Sequence, residues 1–317
     1  MGCGRPTDVA DEYVTPPAGS DTSSDTDFES DTLSGSQTDS DTASDSEART
    51  TACEGLPAAP GDSERTIRVG NVDRSYILHV PSAYTGEAPA PLIIDYHAVQ
   101  GTGETQLATS PYPAVTDSEG VIMAFPNGLS GPAGTAWNVE ACCVDDVDDL
   151  AFSREMVSDI ATIACIDPSR VYAVGKATGG GMAYHLACRA ADVFAAVAPS
   201  SFDLLAETVD KCVPSRPITV VSFRVTENPL IPYDGGYSTA VPGHPITFLG
   251  AVPTFERWAE INGCTGTASD AGDGCQSYGP SQCEGDVEVW LCTSAGTESQ
   301  NGDPSIAWPI LREHSLP

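Results

Sequence analysis

Residues 174–184 read V-G-K-A-T-G-G-G-M-A-Y. A short apolar run, Arg170–Val174, precedes this stretch, and a helix-forming segment, Met182–Cys188, follows it. Strand, tight glycine turn and helix in that order form a nucleophile elbow. The turn lifts one side chain, ordinarily a serine, clear of the backbone so that its hydroxyl can attack a carbonyl. Here the residue at the tip is Ala177, and a methyl group has no lone pair to offer. Thr178 is adjacent, but the turn presents only one residue, so Thr178 is not expected to replace the serine. Its backbone N–H can still serve an oxyanion hole, because that group does not depend on the side chain.

Such an elbow needs a sheet behind it. Apolar runs bounded by turn residues predict strands at Tyr76–Val80, Pro91–Tyr96, Gly120–Ala124, Val171–Val174, Ala195–Ala198 and Ile218–Phe223. Helical segments alternate with them at Leu150–Ile163, Gly179–Ala190 and Thr254–Ile261. Alternating strands and helices imply an α/β fold, with a mainly parallel, twisted sheet flanked by helices on both faces. Asp148 and Asp149 stand just before Leu150 and read as helix caps rather than metal ligands. No apolar run is long enough to span a bilayer.

The chain of 317 residues divides by composition. Residues 1–60 hold 13 acidic and 2 basic side chains, and Ser-Asp-Thr occurs four times, beginning at Ser20, Ser24, Ser30 and Ser40. With so little apolar surface to bury, this stretch is expected to be a disordered, self-repelling linker ahead of one folded domain over residues 61–317. The formal net charge is −31, of which −11 lies in the first 60 residues and −20 in the remaining 257. That argues against nucleic acid and anionic membrane surfaces as partners, and no nucleic acid partner is expected. Eleven cysteines imply an oxidising compartment. Nine lie in the expected domain: Cys142, Cys143, Cys165, Cys188, Cys212, Cys264, Cys275, Cys283 and Cys292. Cys53 offers a tenth, and Cys3 stands apart. No Cys/His grouping has zinc spacing, and neither a metal nor a cofactor is expected. Met1-Gly2-Cys3-Gly4 before an acidic Ser/Thr stretch resembles the start of a mature bacterial lipoprotein, with Cys3 as the lipidated residue. A hydrophobic signal segment is missing, so lipidation and plain secretion both stay open.

The order of short motifs resembles the secreted polyhydroxybutyrate-depolymerase and feruloyl-esterase type of α/β-hydrolases over roughly residues 62–317. Arg74–Pro81 opens the match. Pro91-Leu92-Ile93-Ile94-Asp95-Tyr96-His97-Ala98 is similar to the family's strand and oxyanion loop. Phe125-Pro126-Asn127-Gly128, Ala136-Trp137-Asn138, Cys165–Tyr172 and Phe194–Pro199 follow in the family's order. The resemblance implies a Ser-His-Asp triad, and each triad position is substituted in this chain. The nucleophile is Ala177. The acid falls on Asn228, within Thr226-Glu227-Asn228-Pro229-Leu230-Ile231-Pro232-Tyr233. The base falls on Ser299 when Val289–Thr293 sets the count, or on Ile306 when Trp308-Pro309 does; in the first case Ala307–His314 stands for the terminal helix. His314 reads as a surface residue and His244 as a loop residue. The resemblance makes Ala98 and Thr178 the oxyanion-hole candidates and His97, Trp137 and Tyr233 the groove candidates. His97 is equally readable as a structural residue. Ala98 replaces a glycine, and would be strained if that position needs a positive φ. Together with sequence proximity, the resemblance favours disulfides Cys188–Cys212 and Cys275–Cys283, and one of Cys142 or Cys143 with Cys165.

Losses at all three triad positions, with Ala98 and Arg224-Val225 also altered, fit drift after catalytic selection ended. The reading is therefore a carboxylic-ester hydrolase scaffold that is a pseudoenzyme, binding a polyester or an acylated polysaccharide. Two alternatives stand beside it. One is an active ester hydrolase whose working residues are misaligned above. The other is a structural or adhesion module on the cell exterior.

Overall fold

The computed structural model describes Cys53, Gly55, Leu56, residues 58–239, Val241, residues 243–297 and residues 301–317. Most of the acidic stretch 1–60, Cys3 with its lipidation reading, and Ser299 lie outside the described residues.

Strands β1 (Gly61–Val69), β2 (Val72–Val80), β3 (Ala90–Tyr96), β4 (Ile122–Pro126), β7 (Ile166–Lys176), β8 (Ala196–Ser200), β9 (Thr219–Val225), β12 (Ser269–Gly272), β13 (Cys275–Tyr278) and β14 (Val289–Ser294) form one sheet. Their order is β1-β2-β4-β3-β7-β8-β9-β14-β13-β12. The middle, from β4 to β14, is parallel, and antiparallel ribbons close each edge. Two short hairpins, β5 (Leu129–Gly131) with β6 (Gly134–Ala136) and β10 (Gly236–Ser238) with β11 (Ile246–Phe248), lie outside it. The helices are α1 (Gly103–Thr109), α2 (Pro113–Thr116), α3 (Asp149–Ala161), α4 (Thr178–Arg189), α5 (Ala251–Ile261) and α6 (Pro304–Leu311).

β3, β4, β8 and β9 are buried along their whole length, as expected of parallel strands covered on both faces. Alternate residues divide between two cores. Leu92, Ile94, Tyr96 and Ala173 join Trp137, Phe152 and Leu186, while Ile93, Tyr172 and Val174 join Phe125 and Trp308. Asp148 caps α3, its Oδ1 accepting from the Ala151 amide at 2.8 Å. Asp149 does something else: buried, it accepts from Arg74 Nη2 at 2.6 Å and ties α3 to β2.

The six predicted strands and three predicted helices all form. Two of the strands the reading omitted lack its signal, whereas β14 carries the buried apolar residues Val289, Leu291 and Cys292 and was passed over. β1 carries Glu64, Arg65 and Arg68 on a largely exposed edge, and β12 is exposed throughout. β4 begins at Ile122 and not at Gly120, because Gly120 takes φ +73 and closes the preceding turn.

Five disulfides join Cys53–Cys165, Cys142–Cys143, Cys188–Cys212, Cys264–Cys283 and Cys275–Cys292. Cys188–Cys212 is the favoured pair. The other two expectations are corrected. Cys275 faces Cys292 across the β13–β14 ladder, which places their side chains on one face, so Cys283 closes instead on Cys264. Cys165 pairs with Cys53, and the neighbours Cys142 and Cys143 pair with each other.

Candidate active site

The elbow is built as its sequence implies. Ala177 sits between β7 and α4 with φ 51 and ψ −120, a backbone conformation that side chains other than glycine rarely adopt. Its amide donates to the Ser200 carbonyl at 2.9 Å, and its own carbonyl accepts from Gly181 at 3.0 Å. The surrounding glycines are sterically required. A Cβ on Gly175 would stand 2.6 Å from the Gly179 backbone, one on Gly179 would collide with the Tyr96 carbonyl, and one on Gly180 with the Ser200 carbonyl. These contacts lay the start of α4 directly against the end of β3. Ala98 therefore follows two residues after a point of backbone contact with the elbow.

The loop after β3 is held from several sides. His97 Nε2 accepts from the Gly128 amide at 2.9 Å, which leaves Nδ1 to donate to the Ala98 carbonyl at 2.7 Å. That pattern fixes the neutral tautomer, and burial pushes its pKa down. Trp137 Nε1 donates to the His97 carbonyl at 2.9 Å, and its ring meets Tyr96 edge-to-face and His97 at a tilt. Thr135 Oγ1 donates to the Gly101 carbonyl, and the Gln100 amide to the Thr135 carbonyl. The positive φ in this loop falls on Gln100 and not on Ala98, so alanine is accommodated without the strain considered above. His97 and Trp137 are 1% and 0% exposed, so neither can be a groove wall; both brace the loop from beneath. Tyr233 is partly exposed, and its hydroxyl meets Thr293 Oγ1 at 2.9 Å.

At the acid position, the Asn228 Oδ1 accepts from the amides of Leu230 and Ile231 at 2.9 and 3.1 Å, so its oxygen organises its own loop. The neighbouring Glu227 amide donates to the Gly296 carbonyl, which brings this loop beside the segment leading to residue 299. Ile306 lies inside α6, on the wall of a cleft of about 110 Å³ that it shares with Ser200, Ser201, Phe223 and Arg224 at the carboxyl ends of β8 and β9.

All five histidines of the chain fall among the described residues. His79 meets Asp62 and Asp117, His244 meets Asp145, and His314 meets Glu288. His314, expected at the surface, has a side chain only 13% exposed, packed against that carboxylate. His185, on α4, lies beside Glu140, and burial lowers its pKa to about 4. Among the described residues no imidazole bonds to a hydroxyl or a thiol, and no His/Cys/Asp/Glu group could hold a metal ion.

Two buried features near the elbow escaped the sequence reading. Asp95, on β3 and 1% exposed, accepts from Gln106 Nε2 at 2.8 Å and Ser110 Oγ at 2.6 Å, and burial raises its pKa to about 6. A lone aspartate inside Pro91–Tyr96 was the available signal. The second is the buried pair of Arg224 and Asp203, in which Arg224 also donates to the carbonyls of Ile231 and Pro232. It secures the loop that carries Asn228.

No protein-family model matches the chain. Feruloyl esterase B of Piromyces equi is 43% identical over 248 residues, 77% of this chain and 46% of that protein. Feruloyl esterase C of Emericella nidulans is 29% identical over 173 residues, 53% of this chain and 59% of that protein. The chain thus spans about half the length of these curated relatives. Among solved structures, an acetyl xylan esterase from Aspergillus awamori superposes with TM-score 0.57 at 13% identity, covering 79% of this chain and 99% of that one. A thermostable esterase gives 0.53 at 14% identity, covering 80% and 63%. At such identities these two show the fold, an α/β-hydrolase.

Proposed function

Since the chain belongs to the feruloyl-esterase and polyhydroxybutyrate-depolymerase type of α/β-hydrolases, we propose that it is a pseudoenzyme of that family which binds an acylated polysaccharide without cleaving it. The observation that carries this reading is Ala177 at the elbow tip, in the strained backbone geometry that serves to display a nucleophile. Two further losses support it. Asn228 is neutral, and its oxygen is engaged within its own loop. Every histidine in the chain is accounted for, and no imidazole is partnered with a hydroxyl or thiol among the described residues. A misaligned serine would still need a base, so this second observation weighs against an active enzyme using other residues.

The ligand class follows from the relatives named above, which act on feruloyl and acetyl xylan esters by their names; the bracing of the loop at Ala98 supports a surviving acyl site. A polyester remains the second ligand, on the resemblance to depolymerases. The five disulfides support export to an oxidising compartment.

The test is incubation of the native chain with methyl ferulate and p-nitrophenyl acetate, together with co-sedimentation on insoluble feruloylated xylan and on polyhydroxybutyrate granules. The expected result is no turnover and retention on xylan. Turnover abolished by a serine-directed phosphonate would restore the active enzyme, and retention on neither polymer would leave the structural module.

A further inference from the structure

We propose that the free edge of β1 is a pairing surface for a second copy of this chain, joining two sheets across a two-fold axis at Thr66. The proposal does not depend on whether the elbow is catalytic.

The first observation is an edge left open. β1 spans nine residues and pairs with β2 in one unbroken register, from Gly61 opposite Val80 to Val69 opposite Val72. Among the described residues no other element offers β1 a backbone hydrogen bond. Alternate residues of β1 therefore turn unpaired N–H and C=O groups outward. Sheet edges are usually blunted by a bulge, a proline or short length. β12, at the opposite edge, is blunted in this way. It has four residues, its register breaks between Asp270 and Gly272, and the Asp270 carboxylate accepts from the Gly272 amide. β1 has no bulge, no proline, and no glycine after Gly61.

The second observation is the order of charges along β1. Glu64, Thr66 and Arg68 are exposed on one face. Arg65, Ile67 and Val69 are half-buried on the other, where Arg65 pairs with Asp159 of α3. In an antiparallel ladder, two facing residues either both exchange hydrogen bonds or both do not. Outward-pointing groups recur at every second residue, so a strand pairing with its own copy must set one residue opposite itself. Centring on Glu64 or Arg65 sets like charges against each other, and centring on Ile67 matches no charges. Centring on Thr66 sets Glu64 opposite Arg68 twice, with the two threonines face to face and Arg65 opposite Ile67. Opposite charges and threonine pairs across strands are stabilising. Glu64 has no ionic or hydrogen-bond partner of its own among the described residues, so it is available to the second copy. Arg68 bonds Asp73 and the Asn71 carbonyl on the ribbon side and has further donors to give.

One strand pair buries less than the roughly 1,600 Å² of a standard interface, so the dimer should be weak and micromolar. The experiment is sedimentation velocity of the full chain at about 0.15 M salt, where like charges farther apart than roughly 8 Å are screened. The native chain should pass from monomer to dimer as its concentration rises through the micromolar range. Glu64→Arg, a change at an exposed position, should stay monomeric while keeping the native near-UV circular dichroism. Register is read by cross-linking in a Cys3→Ser background. Mild oxidation should join two copies of Thr66→Cys, whose side chains meet at the axis, and should not join two copies of Ser63→Cys. A native chain that stays monomeric, Glu64→Arg that dimerises as well as the native chain, or equal cross-linking at both positions would each overturn the proposal.

Discussion

The Ala177 amide donates to the Ser200 carbonyl at 2.9 Å, so the tip of the elbow is pinned to the end of the neighbouring strand β8. With the Gly181 amide bonded to the Ala177 carbonyl, the backbone at this point is fixed from both sides. It is fixed at φ 51 and ψ −120, where an L-residue is strained by roughly 1–3 kcal/mol. An enzyme gains a displayed nucleophile from that strain, whereas an alanine gains nothing. Ala177→Gly should therefore stabilise the fold by about 1 kcal/mol, the relief of strain outweighing the extra freedom of glycine in the unfolded chain. Urea denaturation of the two proteins measures the difference, and a loss of stability on substitution would show that the tip is not strained.

Asp95 sets a pH dependence opposite to that of most carboxylates. Burial raises its pKa to about 6, although Ser110 and Gln106 donate to it. The folded state thus holds a proton that the unfolded chain, near pKa ~3.9, has released. Its contribution to stability falls as pH rises from about 4 to 6 and is fully unfavourable above that range. Below about pH 4 the carboxylates whose pKa values are lowered, Asp159 and Asp167 among them, protonate and destabilise the fold. Burial of His185, which lowers its pKa to about 4, acts the other way over the same window, because the unfolded chain takes up a proton there that the folded state refuses. The Asp95 contribution is therefore read as a difference between two proteins. The melting temperature of Asp95→Asn relative to the native chain should climb as pH rises from about 5 to 7.5, because only the native chain carries the buried carboxylate. A difference that stays constant across that range would remove Asp95 as a titrating group.

How much of this was legible depended on the kind of signal. Val171–Val174, Ala195–Ala198 and Ile218–Phe223 are continuous apolar runs, and they became the buried parallel centre of the sheet. The glycines around Ala177 declared themselves by spacing, because only glycine fits against the Tyr96 and Ser200 carbonyls. β1 and β12 were not legible, since pairing at an exposed edge asks little of the side chains. Disulfide partners were only partly legible. Cys275 and Cys292 meet because β13 and β14 pair in one register, which is a property of the fold and not of sequence proximity. Trp137 looked like a groove residue because its type suits that role, and of the two readings open for His97 the structural one fits its bonds to the Ala98 carbonyl and the Gly128 amide. Their burial under the loop depends on the β5–β6 hairpin, which the sequence does not announce.

The buried pair of Arg224 and Asp203 should be a structural keystone for the Asn228 loop. Their side chains are 1% and 0% exposed. Arg224→Met leaves Asp203 charged in an apolar setting and frees the Ile231 and Pro232 carbonyls. The expected cost is about 3–5 kcal/mol, as for other buried pairs broken on one side. Arg224→Met with Asp203→Leu removes both charges and should recover most of that loss. A double variant no more stable than the single one would mean that Arg224 acts chiefly through the two carbonyls.

Restoring the serine should not restore the enzyme. In Ala177→Ser the hydroxyl would be displayed by an intact turn, yet a serine hydroxyl is a weak nucleophile without an adjacent base. No imidazole is placed to accept its proton, and Asn228 cannot stabilise an imidazolium. Triad members act as a unit, so returning one recovers little of what the set provides. Any rate on methyl ferulate should stay within the ~10³–10⁴ over water that an oxyanion hole and binding alone supply. Adding Asn228→Asp and Ser299→His should raise the rate above that of Ala177→Ser if residue 299 is the base position. Asn228→Asp should also cost some stability, because a buried carboxylate replaces a satisfied amide. The comparison is initial rates for the native chain, the single variant and the triple variant, each checked for folding by near-UV circular dichroism. Efficient turnover by Ala177→Ser alone would show that a working base already faces the elbow and that the triad had been misread.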